Sequence, residues 1–137
     1  MIHVIVYHNV DSRFTPYEDG HRLNVATSHW LPGTDRDPHT VADWAWHAFN
    51  ADLDMLEPDR ATGTDGESTF LAAVVYRLLG HRSLSVGDVL EIRSGATTHW
   101  LACDPYGWRP ITEPVNRGGA PLSAATVYRH LDARTTR

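Results

Sequence analysis

The segment Arg82 to Ile111, RSLSVGDVLEIRSGATTHWLACDPYGWRPI, constrains the chain more than any other. Three short apolar runs are punctuated here by turn residues. Ser83 to Asp88 reads as a turn that feeds a strand, because Gly87 can take positive φ and Asp88 can bond its own backbone. In Val89-Leu90-Glu91-Ile92-Arg93, the residues Val89, Glu91 and Arg93 fall on one face, and Leu90 and Ile92 on the other. Ser94-Gly95-Ala96 turns the chain into His99–Cys103. Asp104–Gly107 turns it again into Trp108–Ile111. Pro110 lacks an N–H and so belongs at a sheet edge. These runs predict a three-stranded antiparallel meander, which needs further elements packed on it to be stable.

The rest of the chain supplies them. Ile2–Tyr7 is rich in β-branched residues and predicts the central strand. His21–Thr27 alternates and predicts a half-exposed strand; Ser28–Pro38, with its prolines and Gly33, predicts a loop. Thr40 is the expected N-cap of a helix, with Asp43 in its first turn. Val41, Trp44, Ala45, Ala48 and Phe49 recur at helical spacing along it. Asn50–Gly66 is acidic and predicts an exposed loop. A second helix is expected from Ser68-Thr69 to a C-cap at Gly80. Thr112–Ala120 reads as a linker, and Leu122-Ser123 as the start of a last helix. The expected fold is α+β: one domain over 1–137, with a mostly antiparallel sheet of about five strands covered by two to three helices.

Composition narrows the function. Apolar residues at 42% and charged residues at 21% are ordinary for a globular domain. No apolar run reaches the roughly 18 residues of a bilayer span, and no basic stretch precedes an apolar one at Met1-Ile2-His3-Val4. Neither a membrane segment nor a signal peptide is expected. Cys103, the single cysteine, excludes an internal disulfide and fits a cytoplasmic location. The net charge of -5 disfavours non-specific nucleic-acid binding. All 12 basic residues are arginine, a bias spread along the whole chain and so not the mark of a phosphate site.

Several features point beyond composition. Tyr76-Arg77, His81-Arg82-Ser83-Leu84-Ser85-Val86-Gly87-Asp88-Val89, Trp100-Leu101-Ala102-Cys103 and Gly107-Trp108, with Trp46-His47-Ala48-Phe49-Asn50 upstream, resemble a family of small actinobacterial proteins. The RSLSVGDV run is also similar to YodL-like domains of phage and conjugative-element proteins. The resemblance covers Val41 to Ile111. It implies mobile-element or accessory biology, and brings no activity and no catalytic residues.

The candidate chemistry is sparse. Asp43 and His47, four apart on a helix, could share an ion, and His8 and His21 could approach across a strand pair. However, the nine histidines form neither an HExxH motif nor a close cluster. Cys103 and His99 share a strand face about 13 Å apart, too far for direct activation. Asp88 and Glu91 are a nominal acid/base pair. No phosphate loop is present, and Gly118-Gly119 reads as linker. Trp44 and Trp46 lie about 200° apart on a helix, so they cannot both face one core. Trp46 is therefore the leading surface aromatic.

The reading is a non-enzymatic accessory protein of a phage, plasmid or other mobile element. It acts by contact with an unknown protein partner, a second copy of itself included, and needs no cofactor and no metal. Its expected surface is Trp46, Asp43, His47, Trp108 and Arg109. The alternative is a nucleic-acid-binding sheet face bearing Arg77, Arg82, Arg93 and Arg109. A metal-dependent or thiol enzyme stands third.

Overall fold

In the computed structural model, which describes residues 1–33, 36–61 and 66–119, the β-branched run at the start forms the inner strand β1 (Ile2–Asn9). It pairs antiparallel with β2 (Leu23–Leu31) on one side and β3 (Val89–Ser94) on the other. The meander continues through β4 (Thr97–Asp104) to β5 (Gly107–Pro110), and Pro110 does lie on an edge strand. The fold is α+β and its sheet mostly antiparallel. Among the described residues the sheet has six strands, in the order β5-β4-β3-β1-β2-β6. The sixth, β6 (Arg117–Gly118), lies in the stretch expected to be a linker and pairs parallel with β2.

The period-2 pattern places two apolar sets on opposite sides of the sheet. Ile2, Val4, Val6, Leu90, Ile92 and Leu101 meet the helices, chiefly through Val41, Ala45, Phe49 and Tyr76. Ile5, Tyr7, Val89, Trp100 and Ala102 form a second cluster. Tyr17, from the β1–β2 connection, and Ile111, after β5, close over that cluster. Both faces of β1 are thus buried at its centre, which is why Val4-Ile5-Val6 is an unbroken apolar run.

Local physics corrects several sequence expectations. The second strand starts at Leu23 and runs on through Ser28–Leu31, expected as loop. His29 stacks on Trp44 with centroids 5.4 Å apart, Trp30 stacks on His3 at 4.1 Å, and Leu31 is buried. Ring contacts on both faces extend the strand to Leu31, and it stops at Pro32-Gly33, where Gly33 has φ +95°. A bulge between Val6 and Tyr7 leaves Ala26 as an extra residue in β2, which breaks the alternation partway along.

Helix α1 (Pro38–Asn50) starts earlier than expected. Asp37, not Thr40, caps it: the Asp37 carboxylate accepts from the His39 N–H at 2.8 Å, and Pro38 follows in the first turn. The acidic stretch after it is not all loop. It holds the short helix α2 (Leu53–Leu56) and a 3-10 turn (Glu57–Asp59), with Leu56 as the buried anchor. Helix α3 (Gly66–Leu78) begins two residues before Ser68. The helix expected from Leu122 falls outside the described residues.

Gly87 sits at a close backbone approach. Its φ is +100°, and a Cβ there would lie 2.6 Å from the Thr15 carbonyl oxygen. Strain and clash act together, so Gly87→Ala should lower stability by about 2 kcal/mol in a urea titration.

Candidate functional site

The turn before β3 builds a buried ionic corner. Asp88 is 1% exposed and its two oxygens accept four hydrogen bonds. Oδ1 takes the Asn9 N–H at 2.9 Å and an Arg82 Nη2 donor at 2.8 Å; Oδ2 takes the Ser85 N–H at 2.9 Å and Arg82 Nη1 at 2.7 Å. A carboxylate is tolerated in such a place only when this fully bonded. Asn9 extends the corner, its Oδ1 accepting from the N–H groups of Asp11 and Ser12 and its Nδ2 donating to the Gly87 carbonyl.

A second chain of bonds abuts it. The Tyr76 hydroxyl donates to the Arg82 carbonyl, which can only accept. The Tyr76 oxygen must therefore accept from His8 Nε2, 2.7 Å away, which fixes the neutral Nε2–H tautomer of His8. The His81 ring meets His8 edge-on at 5.6 Å. Burial is the main cause that pushes His8 down to about 4, and burial also lowers His81.

Glu91 lies on the other side of the sheet, 3% exposed. It accepts from the Tyr7 hydroxyl at 2.7 Å and from Arg93 Nε at 2.5 Å. Burial, then the Glu91 carboxylate, raises the Tyr7 hydroxyl to about 12. Trp100 stands opposite Glu91 in register, and the Arg117 guanidinium lies 4.8 Å from its ring centroid. Asp88 and Glu91 are three apart in sequence, yet each belongs to its own network. The structure does not join them as an acid/base pair.

The other reactive candidates are placed as follows. Cys103 is buried, and its thiol is raised to about 12 by burial and by the nearby Asp88 and Asp104. His99 is exposed on the same strand. Asp43 and His47 are both exposed on α1. His8 turns to Tyr76 and His81, whereas His21 Nδ1 accepts from Asn9 Nδ2 at 3.1 Å, so the two histidines do not converge. Among the described residues, no three His, Cys, Asp or Glu side chains are grouped to hold a metal ion.

The four arginines of the nucleic-acid reading do not form one patch. Arg77 donates to the carbonyls of Ala48, Ala51 and Ala73, and so ties α3 to the end of α1. Arg82 clamps Asp88. Arg93 and Arg109 occupy the sheet face opposite the helices, where Arg109 donates to Asp104 Oδ2 and to the Tyr17 carbonyl, both at 2.9 Å. Every one of the four has an internal partner.

The aromatic surface is resolved more simply. Trp44 turns inward, donating from Nε1 to Thr69 Oγ1 at 3.1 Å and stacking on His29. Trp46 remains 41% exposed and meets Trp108 edge-to-face, with centroids 6.5 Å apart. His39, Asp43 and Trp46 are spaced four and three along α1 and share one stripe. His39 Nε2 lies 3.2 Å from the Trp108 carbonyl, so α1 meets β5 at two points on Trp108. His39 was not among the residues expected at this surface; its spacing from Asp43 and Trp46 was the available signal. The fully exposed Tyr106 lies on the turn before β5. No family model, curated protein or solved structure matches the chain.

Arg82→Ala would leave Asp88 buried without its cation. Chemical denaturation should show a loss of about 3 kcal/mol. Tyr7→Phe removes one neutral donor while Arg93 stays on Glu91, and the same measurement should show about 1 kcal/mol.

Proposed function

We propose that this protein acts by protein–protein contact through the aromatic face where α1 meets β5. The carrying observation is Trp46, 41% exposed and braced edge-on by Trp108. A tryptophan held in place but left open gives up little conformational entropy on binding, which favours it as an anchor. The edge itself is blunted, because Pro110 has no N–H and the Trp108 carbonyl is within reach of His39. A partner therefore meets side chains and does not add a strand. Asp43 and His47 flank Trp46, and Arg109 lies at the edge but turns to the opposite sheet face. The patch carries an acid and histidines side by side, so a second copy of the chain can meet it isologously.

No helix among the described residues is long and apolar enough to cross a membrane. With the resemblance of the RSLSVGDV run, the reading is of a cytoplasmic accessory protein of a mobile element. Its chemistry is recognition. The buried thiol and the two buried carboxylates, each bonded internally on both oxygens, support that reading over a thiol or acid/base enzyme.

Sedimentation velocity over a micromolar concentration series tests it. The wild type should self-associate, and Trp46→Ala should weaken association about tenfold or more. A wild type that stays monomeric throughout would overturn the self-association reading.

One observation favours a second reading. Trp30, His3 and Arg93 stand side by side across β2, β1 and β3, an aromatic stack beside a half-exposed cation. Such a row suits stacking of single-stranded bases. Fluorescence anisotropy with a labelled oligonucleotide should then give binding that falls with salt and is lost in Trp30→Ala; no binding at low salt removes the reading.

A further inference from the structure

We propose that the contact between β1 and the end of α3, made through His8, Tyr76 and Arg82, is an acid-sensitive latch. Its opening releases the His81–Ser83 turn and the loop after Asn9, while the sheet and Leu84, buried in the core and bonded twice to Asn50, stay in place.

The geometry makes His8 the weak member. Its Nε2–H is committed to Tyr76, so an added proton must go to Nδ1. The groups that face it come from three elements. Tyr76 comes from α3; His81, Arg82 and Asp88 come from the α3–β3 connection; the neutral Asn24 is its register partner on β2. Asp88 alone among these attracts an imidazolium, and its oxygens are already taken by Arg82, Asn9 and Ser85. Arg82 and a protonated His81 both oppose the new charge. Burial opposes it most.

What the latch holds is local. The Tyr76 hydroxyl grips the Arg82 carbonyl, Arg82 grips Asp88, and Asp88 grips the Asn9 N–H. The loop beyond Asn9 is tied back by the Phe14 N–H on the Val86 carbonyl at 3.2 Å. Phe14 has φ +71° and is 67% exposed, a strained setting for a bulky residue that opening would relieve. The ladders of β1 with β2 and β3, and of β3 with β4, do not pass through any of these bonds.

The sign follows from linkage. In the open state His8 titrates near its ordinary 6.5, and in the closed state near 4. The closed state is favoured in full above about 6.5 and loses ground as the pH falls toward 4. Opening should rise tenfold or more between pH 7 and 4.5.

Hydrogen exchange on the full chain, corrected for the intrinsic pH dependence of exchange, tests this at pH 7 and 4.5. Amides of residues 79–83 and 9–15 should lose protection tenfold or more at the lower pH, while Leu84, β3 and β4 keep theirs. His8→Gln, which keeps a donor for Tyr76 but cannot titrate, should remove most of the difference; His81→Gln should retain most of it. Uniform loss of protection across the sheet, or the same response in His8→Gln, would overturn the latch. Should His8→Gln fail to fold, an imidazole titration of the wild type by NMR decides: His8 must titrate well below 6.5, and an ordinary value overturns the proposal.

Discussion

The Asp88 carboxylate is the constraint on which the rest of this structure depends. It lies where β1 ends, β3 begins and the helical layer hands the chain back to the sheet. Taking a carboxylate out of water costs several kcal/mol even after relaxation. The cost is met here by two backbone N–H groups and a bidentate guanidinium. Those donors come from Asn9, Ser85 and Arg82, so the same bonds fix the end of β1 and the α3–β3 connection at once. Asn9 then passes the order outward through Asp11 and Ser12. Gly87 is required at this point because a neighbouring backbone runs where a side chain would be.

The sheet shows how far alternation carries. The faces of β3 were legible in VLEIR, and the inner position of β1 in its wealth of β-branched residues. The Pro110 edge was legible as well, since a missing donor is a property of the residue alone. The end of β2 was not. Its last four residues are held by His29 on Trp44 and Trp30 on His3, contacts with distant partners. The bulge at Ala26 shifts the pattern by one residue and hides the continuation. The start of α1 was misread for a smaller reason: Asp37-Pro38 and His39-Thr40 both look like helix starts, and Asp37 wins because its carboxylate reaches the His39 N–H.

The candidate site divides along the same line. That Trp44 and Trp46 must part company follows from the helical angle, and the structure places one under β2 and the other in solvent. The roles of the arginines could not be read that way. Arg77, Arg82, Arg93 and Arg109 look equivalent in sequence, but their partners are carbonyls and carboxylates fixed only by the folded chain. Glu91 was legible as sharing a strand face with Val89 and Arg93. Its burial comes from Tyr7 beside it and from the covering segments, which no local pattern foretells.

Tyr76 and Arg77 connect these parts. Tyr76 reaches across to His8 and the Arg82 carbonyl, and so binds α3 to the Asp88 corner. Arg77, the next residue, reaches the other way to the carbonyls of Ala48 and Ala51, where α1 ends with acceptors that the helix itself cannot satisfy. The last turn of α3 is therefore a strut between the corner and the helix that carries Trp46. The Arg77 cap meets α1 at its Asn50 end, four residues and about one helical turn from Trp46. Hydrogen bonds of this strut therefore join the buried polar corner to the helix that carries the exposed aromatic face.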